Sequence, residues 1–374
     1  MNQSSAPASG RKSFSAEWSL PVSALILITG WFLKSAIAAD IASNLAVGIS
    51  FAAFFVGALL AAISATRHAE HLAMRFGEPY GTLMLTLSAI SLEIATVVTV
   101  MLHNADNPTF GRDTMFSVVM IVLNGIIGVA LLAGGLRHHE QSYNLRGANA
   151  FLGLLVPLAT LALIWPNVTI TTGGGTLSSV QKIFLLAMSL LLYASFLVIQ
   201  TRTHTSFFVA EGEPDEHDVH HRSPHAWSWH AAMLLIYLVM VVLLAKLFAL
   251  PLETGVMRLG LPLKVAGLAV AVLVLAPEGI AAIRAARFNQ MQRAMNVGLG
   301  TALSTIALTV PAILLIDIGS ERTVVLGLGA ADTMLLVLTF AVTMLTFSSG
   351  RTYAMQGLVH LLLFLSYIVL IFSP

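Results

Sequence analysis

The sequence predicts an all-α polytopic membrane protein with about eleven transmembrane helices, and three observations carry that prediction. Of its 374 residues, 57% are hydrophobic and 10% charged, against about 25% charged in a soluble domain. Its mean hydropathy is +0.86. Its apolar residues fall into long runs, and a hydrocarbon core about 30 Å thick asks for roughly 20 such residues per helix.

Residues 1–18 are polar, carry Arg11 and Lys12, and read as a short cytoplasmic tail. No small-residue cleavage site follows the first apolar run, so a cleavable signal peptide is not expected. The apolar runs then lie at 19–38, 44–65, 79–102, 114–135, 149–165, 179–200, 229–249, 262–283, 295–316, 323–346 and 355–373. The run at 149–165 is the weakest, being short and containing Pro157. A polar connection at 201–228 divides the chain into a first membrane half, 19–200, and a second, 229–374. It holds Glu211, Glu213, Asp215, Glu216 and Asp218 with His217, His220, His221 and His225, and suits either a solvated linker or a regulatory cation sensor. With the N-terminus inside, 12 of the 19 Lys and Arg fall on the inner side and 7 on the outer, the bias expected of a cytoplasmic N-terminus. There is no cysteine, and the net charge of +1 implies no nucleic-acid partner. The expected partners are the lipid bilayer and inorganic cations and protons. The oligomeric state is not readable.

Charge placed inside hydrocarbon is costly and marks function by default. Most of the 18 acids fall in tails, loops or span ends, but Glu93 and Glu278 fall within apolar runs. Asp332, in LGAADTMLLVL, is a third candidate that reads better as a structural polar link. At about 100° per residue, Thr82, Thr86, Glu93 and Thr96 share a helix face. Hydroxyl oxygens beside a carboxylate suit a hard cation, although a threonine stripe also suits plain helix packing. Pro277 directly precedes Glu278. A proline there predicts a helix break, the kind of irregularity that lines ion sites in transporters.

After each acid comes a polar-faced helix containing glycine. Residues 112–132 can be laid on 293–313, placing Asn124 opposite Ser304. Ser117, Asn124 and Gly128 share a face in the first, and Thr301, Ser304 and Thr305 in the second. Glu93 is in the third run and Glu278 in the eighth. That odd offset inverts the second unit, so two inverted five-helix repeats are expected. The secondary ligands this suggests are Thr86, Asn124, Thr301, Ser304 and Thr305, with Glu93 and Glu278 as the ion- and proton-binding pair. Two other classes remain open. A transition-metal cation/proton exporter is suggested by the His-rich loop, and a membrane metalloenzyme would need ordered His and Asp clusters, of which His68 with His71 and His138 with His139 are the nearest approach.

The segments GEPYGTLMLTLSAISLE (77–93) and APEGIAAIRAARFNQMQRAMNVGLGTALSTIALTVP (276–311) resemble the two α-repeats of the calcium/cation antiporter superfamily. RHAEHLAMRFGEPYG, LLAGGLRHHEQSYN and TFSSGRTYAMQGLVHLLLFLSY extend the resemblance over nearly the whole chain, toward its bacterial ChaA-type branch of calcium/proton and sodium-potassium/proton antiporters. The resemblance implies an eleven-span fold and inverted repeats with one essential acid each, Glu93 and Glu278. It further implies a bacterial inner-membrane transporter rather than an enzyme, with no cofactor, moving calcium, sodium or potassium against protons. The match has gaps. Ala89-Ile90 stands where the family's CAX group has Gly-Asn, Val274-Leu275-Ala276-Pro277 replaces the matching second motif, and Ser304 replaces a glutamine. With the amide ligands missing, strict calcium selectivity is not expected.

Overall fold

The computed structural model describes residues 17–38, 43–76, 80–103, 107–209, 226–319 and 323–373, leaving out the side chains of 36–38, 76, 80–86 and 103. The acidic loop residues Glu211, Glu213, Asp215, Glu216 and Asp218 lie outside the described residues, as does the side chain of Thr86.

With no water in hydrocarbon to satisfy the backbone, these apolar segments must bond internally, and they do so as helices. In chain order they are α1 (Ser19–Ala38), α2 (Asn44–Phe76), α3 (Tyr80–His103), α4 (Phe110–His138), α5 (Leu145–Leu163), α6 (Ser179–Thr203), α7 (Trp227–Arg258), α8 (Lys264–Arg287), α9 (Met291–Gly319), α10 (Ala330–Thr346) and α11 (Ala354–Phe372). Among the described residues, eight are long and apolar enough to cross a membrane. The described apolar stretches of α1, α3 and α10 are shorter. Two helices outrun their apolar runs the furthest. α2 has 33 residues and α7 has 32, each near 50 Å at 1.5 Å per residue, well beyond the hydrocarbon thickness. The two pack extensively on each other. The extra turns of α2 carry Arg67, His68, Glu70, His71 and Arg75.

Helix burial is uneven. In α4, 83% of the apolar window is buried, and in α9 67%, against 22% in α6 and 28% in α11. α4 and α9 are therefore the inner helices, and α6 and α11 are peripheral. α4 approaches its neighbours at backbone distance. A Cβ on Gly357 of α11 would stand 2.5 Å from Leu132 N and 2.7 Å from Gly128 O, and one on Gly267 of α8 would stand 2.9 Å from Thr114 N. Only glycine permits these crossings, which is the small-residue packing expected of helices in lipid.

Two parts depart from the predicted helices. The run at 323–346 is helical only from Ala330, and residues 323–329 are extended. Their backbone is satisfied by other connections: Val325 N donates to Pro108 O, Leu326 N and Gly327 N to Gly175 O, Leu328 N to Leu163 O, and Arg112 Nη1 donates to Gly327 O. Irregular backbone at such depth is tolerated where protein buries it, and Val324, Leu326 and Leu328 are buried. Second, the all-α expectation misses one antiparallel pair, β1 (Glu140–Ser142) with β2 (Arg351–Tyr353), in register Glu140↔Tyr353. Gln141 anchors it, its Nε2 donating to Ala286 O and Asn289 Oδ1 at the α8–α9 turn.

Gly357→Val drives a branched side chain into the α4 backbone, so it is expected to cost at least about 1–3 kcal/mol, the usual range for overpacking. Gly153→Ala meets nothing within 4 Å and is expected to be near neutral. Thermal unfolding in detergent with monodispersity by size exclusion checks both; equal stability of the two variants contradicts the close crossing.

Candidate ion-binding site

Glu93 projects from α3 and is 4% exposed. Thr309 Oγ1 donates to its Oε1 at 3.3 Å. Glu278 projects from α8 and is half-buried. Thr301 Oγ1 donates to its Oε2 at 3.1 Å. Both hydroxyls come from α9, so one helix serves the acids of two others. Thr305, midway between Thr301 and Thr309, also faces Glu93 and lies within its electrostatic reach, yet its buried Oγ1 makes no hydrogen bond of good geometry among the described residues. Glu93 in turn feels the charge of Glu278.

The spacing of those threonines works because α9 is not a uniform helix. In an α-helix a residue four places on is carried about 40° round, so position 309 would turn well away from 301. Thr305–Thr309 form a π turn, whose i→i+5 bonds fit more residues per turn and wind part of that drift back. α4 contains a second π turn at Ile121–Ile126. The two are placed reciprocally. The π turn of α9 packs against α3 and α6 of the first half, and the π turn of α4 packs against α8 and α11 of the second.

Several predicted residues are placed differently. α8 runs unbroken through Pro277, so the expected helix break is corrected. A proline removes one donor, and a membrane helix packed in protein absorbs that loss; the local irregularity sits instead in α4 and α9. Asn124 is not bonded to either glutamate. Its Nδ2 donates to Thr339 Oγ1 at 2.8 Å and its Oδ1 meets His360 Nδ1 at 3.0 Å, while His360 Nε2 meets Thr346 Oγ1 at 3.0 Å. Ser304 donates to Thr301 O at 3.0 Å and contacts the Tyr193 phenol rather than an acid. Thr96 turns back to Leu92 O at 2.8 Å. Asp332 is paired with Lys264 at 2.6 Å in the first turn of α10, where a carboxylate also suits the helix dipole. It is a structural link.

Two residues at the site escaped the sequence reading. Thr309 continues the four-residue spacing of Thr301 and Thr305, a signal that uniform α geometry discards. Tyr193, on α6, is 4% exposed and lies within electrostatic reach of Glu93; one tyrosine in an apolar helix gives no such signal.

Among the described residues, neither Glu93 nor Glu278 forms an ion pair, and no group of three or more His, Cys, Asp or Glu is arranged to hold a metal ion. The donors gathered here are carboxylate and hydroxyl oxygens, which suit hard cations. Two carboxyls removed from water without a fixed cation need either a proton or a bound cation.

Comparison with known proteins agrees with this architecture. The profile of the sodium/calcium exchanger protein family matches residues 17–202 and 229–373. The sodium-potassium/proton antiporter ChaA of Escherichia coli (strain K12) is 38% identical over 94% of this chain and 95% of its own. The putative ionic transporter y4hA of Sinorhizobium fredii is 38% identical over 86% of this chain and 88% of its own. The crystal structure of the Ca2+/H+ antiporter YfkE superposes with a TM-score of 0.71 at 17% identity, covering 95% of this chain and 97% of that one. Two buried acids served by a π-turned helix thus sit in a scaffold shared with these proteins, and the chain belongs to the sodium/calcium exchanger protein family.

Proposed function

We propose that this chain is a cation/proton antiporter of a bacterial inner membrane, in which Glu93 and Glu278 bind cation and proton alternately. The observation that carries the proposal is the pair of carboxyls within apolar helices, served by one threonine face and, among the described residues, without a basic partner. In low dielectric the charged carboxylate is disfavoured and holds a proton; a cation among the same oxygens favours the charged form and expels it. The two ligands therefore exclude each other, and a site that crosses loaded with one or the other exchanges them. Two glutamates neutralise one calcium ion, and a sodium or potassium ion needs one. The name of the E. coli relative supports monovalent exchange, and that of YfkE supports calcium.

The reciprocal packing of the π turns supports reading α2–α6 and α7–α11 as inverted five-helix repeats, with alternating access by movement of one group of helices against the other. The half-buried Glu278 and the buried Glu93 suit a site with one acid nearer the access path.

Glu93→Gln and Glu278→Gln each keep the shape and remove the charge. Each is expected to abolish cation-driven collapse of a pH gradient in everted vesicles while the protein still inserts; full activity in either would refute the two-glutamate mechanism.

Because protons compete, the cation concentration for half-maximal flux should fall as pH rises, by up to about tenfold per pH unit for each proton displaced. Titrating the flux with calcium, sodium and potassium between pH 6.5 and 9 measures the slope. A flat profile contradicts competition.

Thr305→Val removes a hydroxyl that faces Glu93 without a well-formed hydrogen bond among the described residues. Stability should therefore be unchanged or improved. The half-maximal cation concentration should rise by roughly tenfold or more, the scale of one bond to a charged group. Unchanged cation dependence would remove Thr305 from the ligand set.

A further inference from the structure

A second set of titratable groups lies away from the glutamates, where the chain enters α1 and where the polar extension of α2 meets the start of α7. His68 and His230 are 1% and 6% exposed, and their Nδ1 atoms are 2.9 Å apart. His68 Nε2 is 3.3 Å from Glu17 Oε2. That same oxygen accepts from Arg67 Nη2 at 2.7 Å and Tyr237 OH at 2.9 Å. Ser19 Oγ joins Tyr237 OH at 2.9 Å to Ser64 Oγ at 2.7 Å. The His71 ring stacks on His230 with centroids 4.6 Å apart. Spacing alone gives no hint of this, since Glu17, His68 and His230 are far apart in sequence.

The proton count of this cluster is restricted by its geometry. Two Nδ1 atoms at this distance share one hydrogen, so one ring donates and the other accepts. With both rings neutral, His230 Nδ1–H donates to His68 Nδ1 while His68 Nε2–H faces Glu17. With one proton added, His68 donates from both nitrogens, to His230 and to the Glu17 carboxylate. A second added proton puts N–H against N–H between two cations, and the contact cannot survive. Among the described residues the charges acting on His68 come from Glu17, Arg67 and His71. From the other elements Tyr237 of α7 reaches the cluster through Glu17, and Arg284 of α8 and Arg293 of α9 act on the neighbouring Glu70. Burial alone would raise the pKa of Glu17, but the hydrogen bonds from Tyr237 and His68 and the charge of Arg67 outweigh it and hold the carboxyl below its ordinary range. The carboxylate that stabilises the first added proton thus persists when the second arrives.

We infer that the His68–His230 contact is an acid-sensitive latch between the two halves of the transporter, closed with up to one added proton and forced open by a second. α2 belongs to the first half and α7 to the second, so opening changes the apposition of the two long helices. Histidine is the side chain whose unperturbed ionisation falls near pH 6.5, and burial holds His68 below that value against the opposing pull of Glu17, so opening belongs to the acid side of pH 6.5. The ligand of this site is the proton itself, and it acts independently of the two glutamates.

The chain contains no cysteine, so spin labels can be placed cleanly at Met74 and Leu235, which are 50% and 63% exposed. In the full-length protein in nanodiscs, the label-to-label distance is expected to shift between pH 7.5 and 5.5, and not to shift with His230→Gln, which keeps hydrogen-bonding capacity without a charge. An unchanged wild-type distance overturns the latch whatever the protein transports, as does a shift that persists in H230Q. Isotope exchange at equal pH on both sides provides the functional readout, since the glutamates also titrate in both proteins. Below about pH 6.5 the wild-type rate should fall more steeply than that of H230Q, by up to tenfold per pH unit for the added proton; superimposable acid limbs overturn it. If H230Q does not purify as a single species, His68→Gln serves for both measurements.

Discussion

The buried Glu93 and the half-buried Glu278 sit in an apolar protein, and among the described residues no basic side chain pairs with either. A charge in that setting costs several kcal/mol unless something compensates it, and the hydroxyls of Thr301 and Thr309 are too weak to do so alone. Much of the architecture can be understood as what such a pair requires. The helices around it must exclude water without supplying a permanent cation, and they must bring oxygen atoms of two different helices to the same place. A proton or a bound cation would each neutralise such a pair.

The second requirement is met by the local geometry of α9. A π turn keeps Thr301, Thr305 and Thr309 on one face, and that face lies between α3 and α8. α4 carries its own π turn against α8 and α11, but there the polar group is Asn124, engaged by His360 and Thr339. The two inner helices are therefore alike in backbone and unlike in chemistry: one presents hydroxyls to the acids, the other a side-chain amide tied into a buried network. Glycines at 267 and 357 let α8 and α11 close on α4 to backbone distance, while the longer helices α2 and α7 pack on each other.

The long helices α2 and α7 carry a different kind of chemistry. The extra turns of α2 and the first turn of α7 bring Arg67, His68 and His230 to Glu17 at the entrance to α1. Here charge is compensated by neighbours rather than by an exchangeable ion. At the opposite ends of the helices, Arg112 with Asp113, Lys182 with Asp317 and Lys264 with Asp332 form ion pairs with buried acids. The contrast separates these ion-paired acids from Glu93 and Glu278, which form no ion pair among the described residues.

How much was legible in the sequence follows from which forces are local. Apolar runs of the length of a bilayer are local, and each of them contains a helix. The cost of burying a carboxylate is set by its flanking residues, so Glu93 and Glu278 could be picked out among 18 acids. Thr301 and Thr305 followed from helical spacing. Where spacing was projected through an assumed uniform helix, it failed: Pro277 does not break α8, and the π turns sit where no residue announces them. Asn124 went to His360, residues 323–329 stayed extended on bonds from distant loops, and β1 found β2 across more than half the chain. Each outcome is decided by a partner far away in sequence, and hydrogen-bond satisfaction in a medium without water gives that partner the last word. By itself, then, the sequence determined the membrane solvent, the helices and the two acids, because hydropathy and charge burial act along the chain. Only the tertiary structure decided that a single threonine face serves both acids, and that His68 meets His230, because those contacts exist only when separate helices are packed together.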